Sequence, residues 1–334
     1  MSTEGPDVVV LRQGTEGLSM DAYAEEIRDR LPDHDVRRAR TRREERELVE
    51  TAPVVTGLTI SEELLERAQN LELFAAASSG IGRLPQEQLR ERGIVVTNAS
   101  GIHAPGLAEQ VLGKMLTFAR RLHEGWRLQQ ENQWRHYQAG ELKGSTVTIV
   151  GLGSIGQEVA TRLQGFDVDS IGVRYTPEKG GPTDEVIGFD DDAFDDACAR
   201  TDYLVIACPL TDETRGLVDR EALITLPPEA VVVNVARGPI VDTDALVWAI
   251  RNGAIGGAAL DVTDPEPLPS SHPLWDFDNV LITPHMGGHT PQHWSRLADI
   301  LAENVRLHES ATDATPLRNQ VLPPEGGSPI AQPS

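Results

Sequence analysis

The stretch TVTIVGLGSIGQEVATRL, residues 146–163, joins a β-branched run to an amphipathic one through Gly151, Gly153 and Gly156. Each glycine has a mechanical reading in a strand-to-helix turn. Gly151 permits the tight turn, Gly153 lets the backbone approach a pyrophosphate, and Gly156 lets helix pack on strand. The helix N-terminus, at Ser154 and Ile155, faces the phosphates. A glycine triplet alone is a weak signal, but placed after a strand and opening a helix it predicts a dinucleotide site.

Such a turn calls for an acidic residue about 20 positions on. In SIGVRYTPEK (170–179) the matching position, 18 residues beyond Gly156, holds Arg174. An acid there accepts hydrogen bonds from the adenosine ribose hydroxyls and repels a 2′-phosphate, whereas a guanidinium forks onto that phosphate. Tyr175, Thr176 and Lys179 belong to the same end of the site, Thr176 adding a hydroxyl and Lys179 a second cation. NADP(H) is therefore the expected cofactor, with NAD(H) possible. The bland rival is an exposed arginine at a strand end.

Outward from this turn, short β-branched runs alternate with amphipathic stretches along the chain, the pattern of parallel sheets with crossover helices. Upstream, strands are predicted at 8–11, 53–57, 71–76 and 94–98, and helices near 20–31 and 61–69. Downstream, strands are predicted at 146–150, 170–175, 202–207, 230–234, 257–261 and 279–282. Between the sets, PGLAEQVLGKMLTFARRLHEGWRLQQ carries helical periodicity for longer than a typical globular helix and is expected to bridge two domains. A second helix, 292–310, returns the chain to the first domain. The length of 334 residues suits two domains at ~150 residues each. The expected division is 1–100 with 290–321, then 101–289, then a disordered Pro-, Gly- and Ser-rich tail at 322–334.

The chain carries 30 basic against 52 acidic residues, a net charge of −22, and its only lysines are Lys114, Lys143 and Lys179. Self-repulsion on this scale is screened at molar salt, where the Debye length is ~3 Å, and the composition reads as halophilic. A nucleic-acid backbone would be repelled. The run RRARTRREERE (37–47) interleaves arginine with glutamate and reads as a solvated helix face. Cys198 and Cys208 offer neither a disulfide framework nor a metal spacing, so no metal is expected. With no membrane-length apolar run and no export leader, the expected location is the cytoplasm.

Three further segments carry chemistry: NVARGPIVDTDAL (234–246), ALDVTDPEPLPSSHPLW (259–275) and NVLITPHMGGHT (279–290). Between them they hold a guanidinium, an imidazole and a carboxylate, the parts of an acid–base site that binds an anion. Arg237 offers the planar cation, His285 a proton near neutral pH, and Glu266 a partner that orients the ring. His103, His289 and His293 compete with His285 on sequence alone.

With the glycine motif and LVIACPLTDETRGLVD (204–219), these segments resemble, in order and spacing, the D-isomer-specific 2-hydroxyacid dehydrogenases over nearly the whole chain. The resemblance implies an α/β fold of two doubly wound parallel-sheet domains, a Rossmann dinucleotide-binding domain inserted in a flavodoxin-like substrate domain. It implies Arg237, Glu266 and His285 as the catalytic set, active sites in interdomain clefts, and a substrate-carboxylate loop at Ser78, Ser79 and Gly80. Cys208, Pro209, Thr214, Val235, Ala236, Asp261 and Gly287 fall to the cofactor groove, Asp261 beside the nicotinamide. The element from Pro105 through Trp126 and Trp134 resembles the family's dimerisation element, so a homodimer is expected.

The sequence departs from the family where an aspartate or asparagine often stands and this chain has Gly82 and Arg83. Enzymes of the family that act on 3-phosphoglycerate tend to carry an arginine near Ala76 and often a regulatory C-terminal domain. The expected substrate is a small or moderately apolar 2-oxo acid such as glyoxylate, hydroxypyruvate or a branched-chain analogue. Related formate dehydrogenases carry glutamine in place of Glu266. A phosphoglycerate dehydrogenase and a nucleotide-sensing, corepressor-like protein remain alternatives.

Overall fold

The computed structural model describes residues 5–14, 18–310 and 316–322. They form two compact units, one running to Ile102 and resuming at Thr290, the other His103–His289. In the first unit the order is β1 (Val8–Val10), α1 (Met20–Arg30), β2 (Val36–Arg38), α2 (Arg42–Leu48), β3 (Val54–Gly57), α3 (Glu62–Arg67), β4 (Leu73–Ala76), α4 (Gln86–Glu91) and β5 (Val95–Thr97). The second unit opens with α5 (Ala104–Ala119), α6 (Leu122–Gln130), β6 (Thr146–Val150), α7 (Ser154–Leu163), β7 (Asp169–Val173) and β8 (Glu185–Ile187). It continues with α8 (Asp191–Cys198), β9 (Tyr203–Ile206), α9 (Arg220–Thr225), β10 (Val231–Asn234), α10 (Thr243–Arg251), β11 (Gly257–Leu260) and β12 (Val280–Ile282). The first unit is completed by α11 (His293–Ser310) and β13 (Gln320–Leu322).

The first sheet has the order β13-β5-β4-β3-β1-β2, parallel throughout except for β13, which pairs antiparallel with β5. Stripped of β13 this is the flavodoxin-like order. Its strands are apolar at successive positions because both faces are covered. Val8 and Val10 pack with Tyr23, Ile27, Trp294 and Leu301, while Val9 joins Val55, Phe74, Leu65 and Leu89 on the other face. Tyr23 stacks on Trp294 at 4.7 Å, tying α1 to α11.

The second sheet is parallel throughout, in the order β12-β11-β10-β9-β6-β7-β8. The chain builds outward from β6 to β8, then crosses back to β9, so β6 and β9 flank the point where the strand order reverses. That is the Rossmann order, and the expected class of two doubly wound parallel sheets holds. Some of the acid excess serves the helices: Asp219 and Asp242 cap α9 and α10, accepting from the amides of Ala222 and Ala245.

Several boundaries differ from expectation. The long helix predicted from Pro105 is two helices, because Arg120 ends α5 and Arg121 takes a left-handed φ of 51° before α6. Within 37–47 the chain is first strand and then helix, with Thr41 forming a capping box with Glu44. Leu322, assigned to the tail, is the buried end of β13; the remainder of that tail lies outside the described residues. No helix among the described residues is long and apolar enough to cross a membrane.

Candidate active site

At the end of β6 the backbone turns at Gly151, φ +99°, and its amide donates to the Val173 carbonyl at 2.8 Å. A Cβ on Gly151 would lie 2.6 Å from Cα of Cys208, which follows the neighbouring strand β9. A Cβ on Gly156 would lie 1.9 Å from the Gly151 carbonyl oxygen. Both contacts are backbone against backbone, so only hydrogen fits. Gly153 caps α7, whose first-turn amides at Ser154, Ile155 and Gly156 have no carbonyl partner inside the helix. A cradle of glycine backbone and free amides at the switch point of a parallel sheet fits a dinucleotide pyrophosphate.

Arg174 leaves β7 with its amide on the Ile187 carbonyl at 3.0 Å. Its Nη1 donates to Gly180 O at 2.6 Å, bracing the 174–180 turn, while its buried Nε has no hydrogen-bond partner. Tyr175 stacks on Phe189 at 4.4 Å. Thr176 and Lys179 stand exposed around the short Pro177–Lys179 helical turn. The turn carries two cations, Arg174 and Lys179, a pairing that suits a phosphate.

Across the reversal, Cys208 is buried and burial pushes its thiol up to about 11, which leaves it a neutral packing group. Cys198 is likewise unpaired and buried. Thr214 is fully buried, its hydroxyl donating to Pro209 O at 2.7 Å and accepting from the Thr211 amide at 2.8 Å, so it shapes the 209–214 turn from within.

Arg237 follows β10. Buried Asn234 fixes this turn, accepting from the Ala236 amide and donating to the Arg237 carbonyl, each at 3.0 Å. Val235 and Ala236 are buried; the Arg237 side chain is exposed, with Nη1 on the Ala236 carbonyl at 2.7 Å. A Cβ on Gly238 would fall 2.0 Å from the Thr263 carbonyl oxygen, so the arginine turn lies against the loop that carries Glu266. Glu266 accepts from the Thr263 amide at 3.1 Å and from His285 Nδ1 at 2.9 Å. A carboxylate only accepts, so Nδ1 carries the hydrogen and Nε2 is the atom left for a substrate. The sequence-predicted Arg237 turn, Glu266 and His285 thus come together at the carboxyl edge of one sheet.

His285 itself has φ +49°, a left-handed backbone uncommon for a residue with a side chain. Its amide donates to the carbonyls of Asp261 at 2.8 Å and Thr283 at 2.9 Å. The carboxylate of Asp261, only 2% exposed, receives Thr283 Oγ1 at 2.5 Å, Gln110 Nε2 at 2.9 Å, and the amides of Met286 at 3.2 Å and Gly287 at 2.8 Å. Burial pushes its pKa up, but those four hydrogen bonds together outweigh burial and hold it below the usual value. Gly287 packs against side chains of the same network: a Cβ there would meet Gln110 Oε1 at 2.2 Å and Leu107 Cδ2 at 2.4 Å, so both would have to move.

Sequence reasoning gave no role to Gln110, Lys114 or Thr283. The available signal was Lys114 itself, a scarce lysine on the apolar face of α5 beside Leu107, Val111 and Met115. Of the competing histidines, His103 and His289 meet backbone carbonyls of the 286–288 loop, and His293 is buried on α11. In the first unit, the loop after β4 is held by its own backbone, Ser78 O receiving the Ala99 amide and Ser79 O the Asn98 side chain. Ser79 and Gly80 are exposed. A cavity of about 560 Å³ in this unit lies among Leu11, Arg12, Glu45, Ile60, Arg83 and Leu84 and is not lined by Ser78, Ser79 or Gly80.

The family model for the NAD binding domain of D-isomer specific 2-hydroxyacid dehydrogenases matches residues 112–287. The chain belongs to the D-isomer-specific 2-hydroxyacid dehydrogenases. The glyoxylate reductase of Thermofilum pendens is 37% identical over 253 residues, 74% of either chain. The D-3-phosphoglycerate dehydrogenase of Methanocaldococcus jannaschii is 32% identical over 298 residues, 87% of this chain and 56% of that protein. Among solved structures, the family member from Xanthobacter autotrophicus Py2, in complex with NADPH and MES, is 29% identical with a TM-score of 0.75, covering 95% of this chain and 98% of its own. The activity of the family, interconversion of 2-oxo and 2-hydroxy acids with NAD(P), is therefore the activity class of this chain.

Proposed function

We propose that the protein reduces a small 2-oxo acid to its D-2-hydroxy acid with NADPH in preference to NADH. A bound nicotinamide dinucleotide supplies the hydride. Gly151, Gly153 and the α7 amides would hold its pyrophosphate and Arg174 with Thr176 and Lys179 its 2′-phosphate, with Asp261 on the nicotinamide side of the groove. Arg237 engages the substrate carboxylate and polarises the 2-oxo group, while the loop at Ser78, Ser79 and Gly80 receives the carboxylate through backbone amides. His285 Nε2 protonates the carbonyl oxygen as negative charge develops there, and Glu266 keeps the ring aimed and stabilises the imidazolium. In the reverse direction the same nitrogen accepts the hydroxyl proton.

The observation that carries this reading is the 2.9 Å bond between His285 Nδ1 and Glu266, which fixes the tautomer needed for proton transfer at Nε2. Glyoxylate and hydroxypyruvate are the favoured substrates, a choice supported by the glyoxylate reductase relative. The phosphoglycerate dehydrogenase relative favours a second reading, against which Ala76 stands where that activity tends to place arginine. Trp126 and Trp134, 71% and 97% exposed, support a homodimer built through the segment after α5.

The test is NADPH and NADH consumption with a panel of 2-oxo acids in molar salt. Turnover of glyoxylate or hydroxypyruvate with higher kcat/KM for NADPH is expected. Tight NADPH binding without turnover of any acid would favour a nucleotide-sensing protein, and turnover confined to phosphohydroxypyruvate the second reading.

A further inference from the structure

Lys114 is one of three lysines in 334 residues, yet it is 3% exposed. Burying an ammonium is costly, and desolvation lowers its pKa to about 8 although Asp261 pulls the other way. Its Nζ donates to Thr283 Oγ1 at 3.0 Å. Gln110, one turn earlier on α5, donates to the same oxygen at 3.2 Å. An ammonium and an amide NH₂ only donate, so they take up the acceptor capacity of the Thr283 oxygen. The one hydroxyl hydrogen is then committed to Asp261 Oδ1, 2.5 Å away. Asp261 in turn holds the amides of Met286 and Gly287, and its carbonyl holds the amide of His285.

We propose that Lys114 is a positioning residue for the proton donor: through Thr283 it sets the direction of a hydrogen-bond relay that locks Asp261 and the 283–287 loop, and so holds His285 in its strained backbone conformation. The proposal rests on the reading of His285 as the proton donor. Backbone strain of this kind persists only where the surroundings over-determine it, and the relay supplies that constraint from beneath the loop. A methionine would fill the same space without the cost of a buried charge, so packing alone gives no reason for a lysine here.

The relay predicts non-additivity. Lys114→Met and Thr283→Val each break it at one link, and each should lower kcat roughly 10- to 100-fold, with the Kd for NADPH unchanged within about twofold. The double variant should be no slower than the slower single, because the links act in series. Thr283→Ser keeps the hydroxyl and should restore kcat to near the wild-type value. A readout independent of turnover is hydrogen exchange at the amides of His285 and Gly287, which the relay holds through Asp261, in cofactor-free full-length protein. Lys114→Met should speed exchange at both.

Multiplicative losses in the double variant, or wild-type kcat and unchanged amide exchange in Lys114→Met, would overturn the proposal. If Lys114→Met does not fold, the same kcat loss in Thr283→Val with recovery in Thr283→Ser supports the relay, and equal kcat in all three overturns it. A wild-type protein without turnover, but with amide exchange at His285 and Gly287 that responds to Lys114→Met, would refute the proton-donor reading and leave the coupling standing.

Discussion

Arg174 divides its guanidinium between two tasks. Nη1 braces the 174–180 turn through Gly180, and the proposed function adds the 2′-phosphate of NADPH as its second partner. Arg174→Ala should therefore lower kcat/KM for NADPH by about 10- to 100-fold, the worth of a charge-assisted hydrogen bond, while that for NADH changes little; steady-state kinetics with both cofactors checks this. At Glu266 the carboxylate does no covalent work, yet it fixes which ring nitrogen of His285 bears hydrogen. Glu266→Gln should lower kcat at least ~10-fold and spare NADPH affinity, as fluorescence titration would report. Arg237, Glu266 and His285 stood out in the sequence because they lie in segments that resemble the family's in order and spacing, and the structure sets Glu266 and His285 in contact. Gln110 and Thr283 did not stand out, since neutral polar residues in a helix and after a strand carry no signal until the fold sets them against Asp261.

Among the elements, α7 is held to its strand by two glycines whose missing side chains are spatial requirements. Gly156→Ala puts a methyl group 1.9 Å from the Gly151 oxygen, so α7 must shift, at a cost of about 1–3 kcal/mol, and its first-turn amides move with it. A lower Tm together with weakened NADPH binding is the expected outcome; a lower Tm alone would place the pyrophosphate elsewhere. Helix α5 makes a prediction in pH. Lys114 titrates at about 8 when folded against 10.5 ordinarily, so between those values the unfolded chain binds more protons and stability rises with pH. The stability of wild type relative to Lys114→Met should thus grow by about 3 kcal/mol from pH 8 to 10.5, measured by urea unfolding at each pH.

The strands of both cores were legible, since a parallel strand buried on two faces is a short apolar run. The edge strands β2 and β8 were not: VRR and EVI are too short and too charged to stand out from loops. The break between α5 and α6 also had no marker, because arginine rather than glycine takes the left-handed position at 121.

For the whole molecule, a charge of −22 with three lysines makes a prediction about salt. Screening relieves the self-repulsion, so Tm should rise from 0.1 M to 2 M salt; a flat or falling Tm would contradict a halophilic reading. In the same salt, sedimentation should give a dimer, and Trp134→Ser should shift it toward monomer. The central claim is that His285 delivers the proton. Its most direct test is the turnover of His285→Ala with NADPH and glyoxylate or hydroxypyruvate in molar salt, alongside its Kd for NADPH. The account predicts unchanged Kd with turnover lowered about 10²- to 10⁴-fold; turnover at the wild-type rate would contradict it.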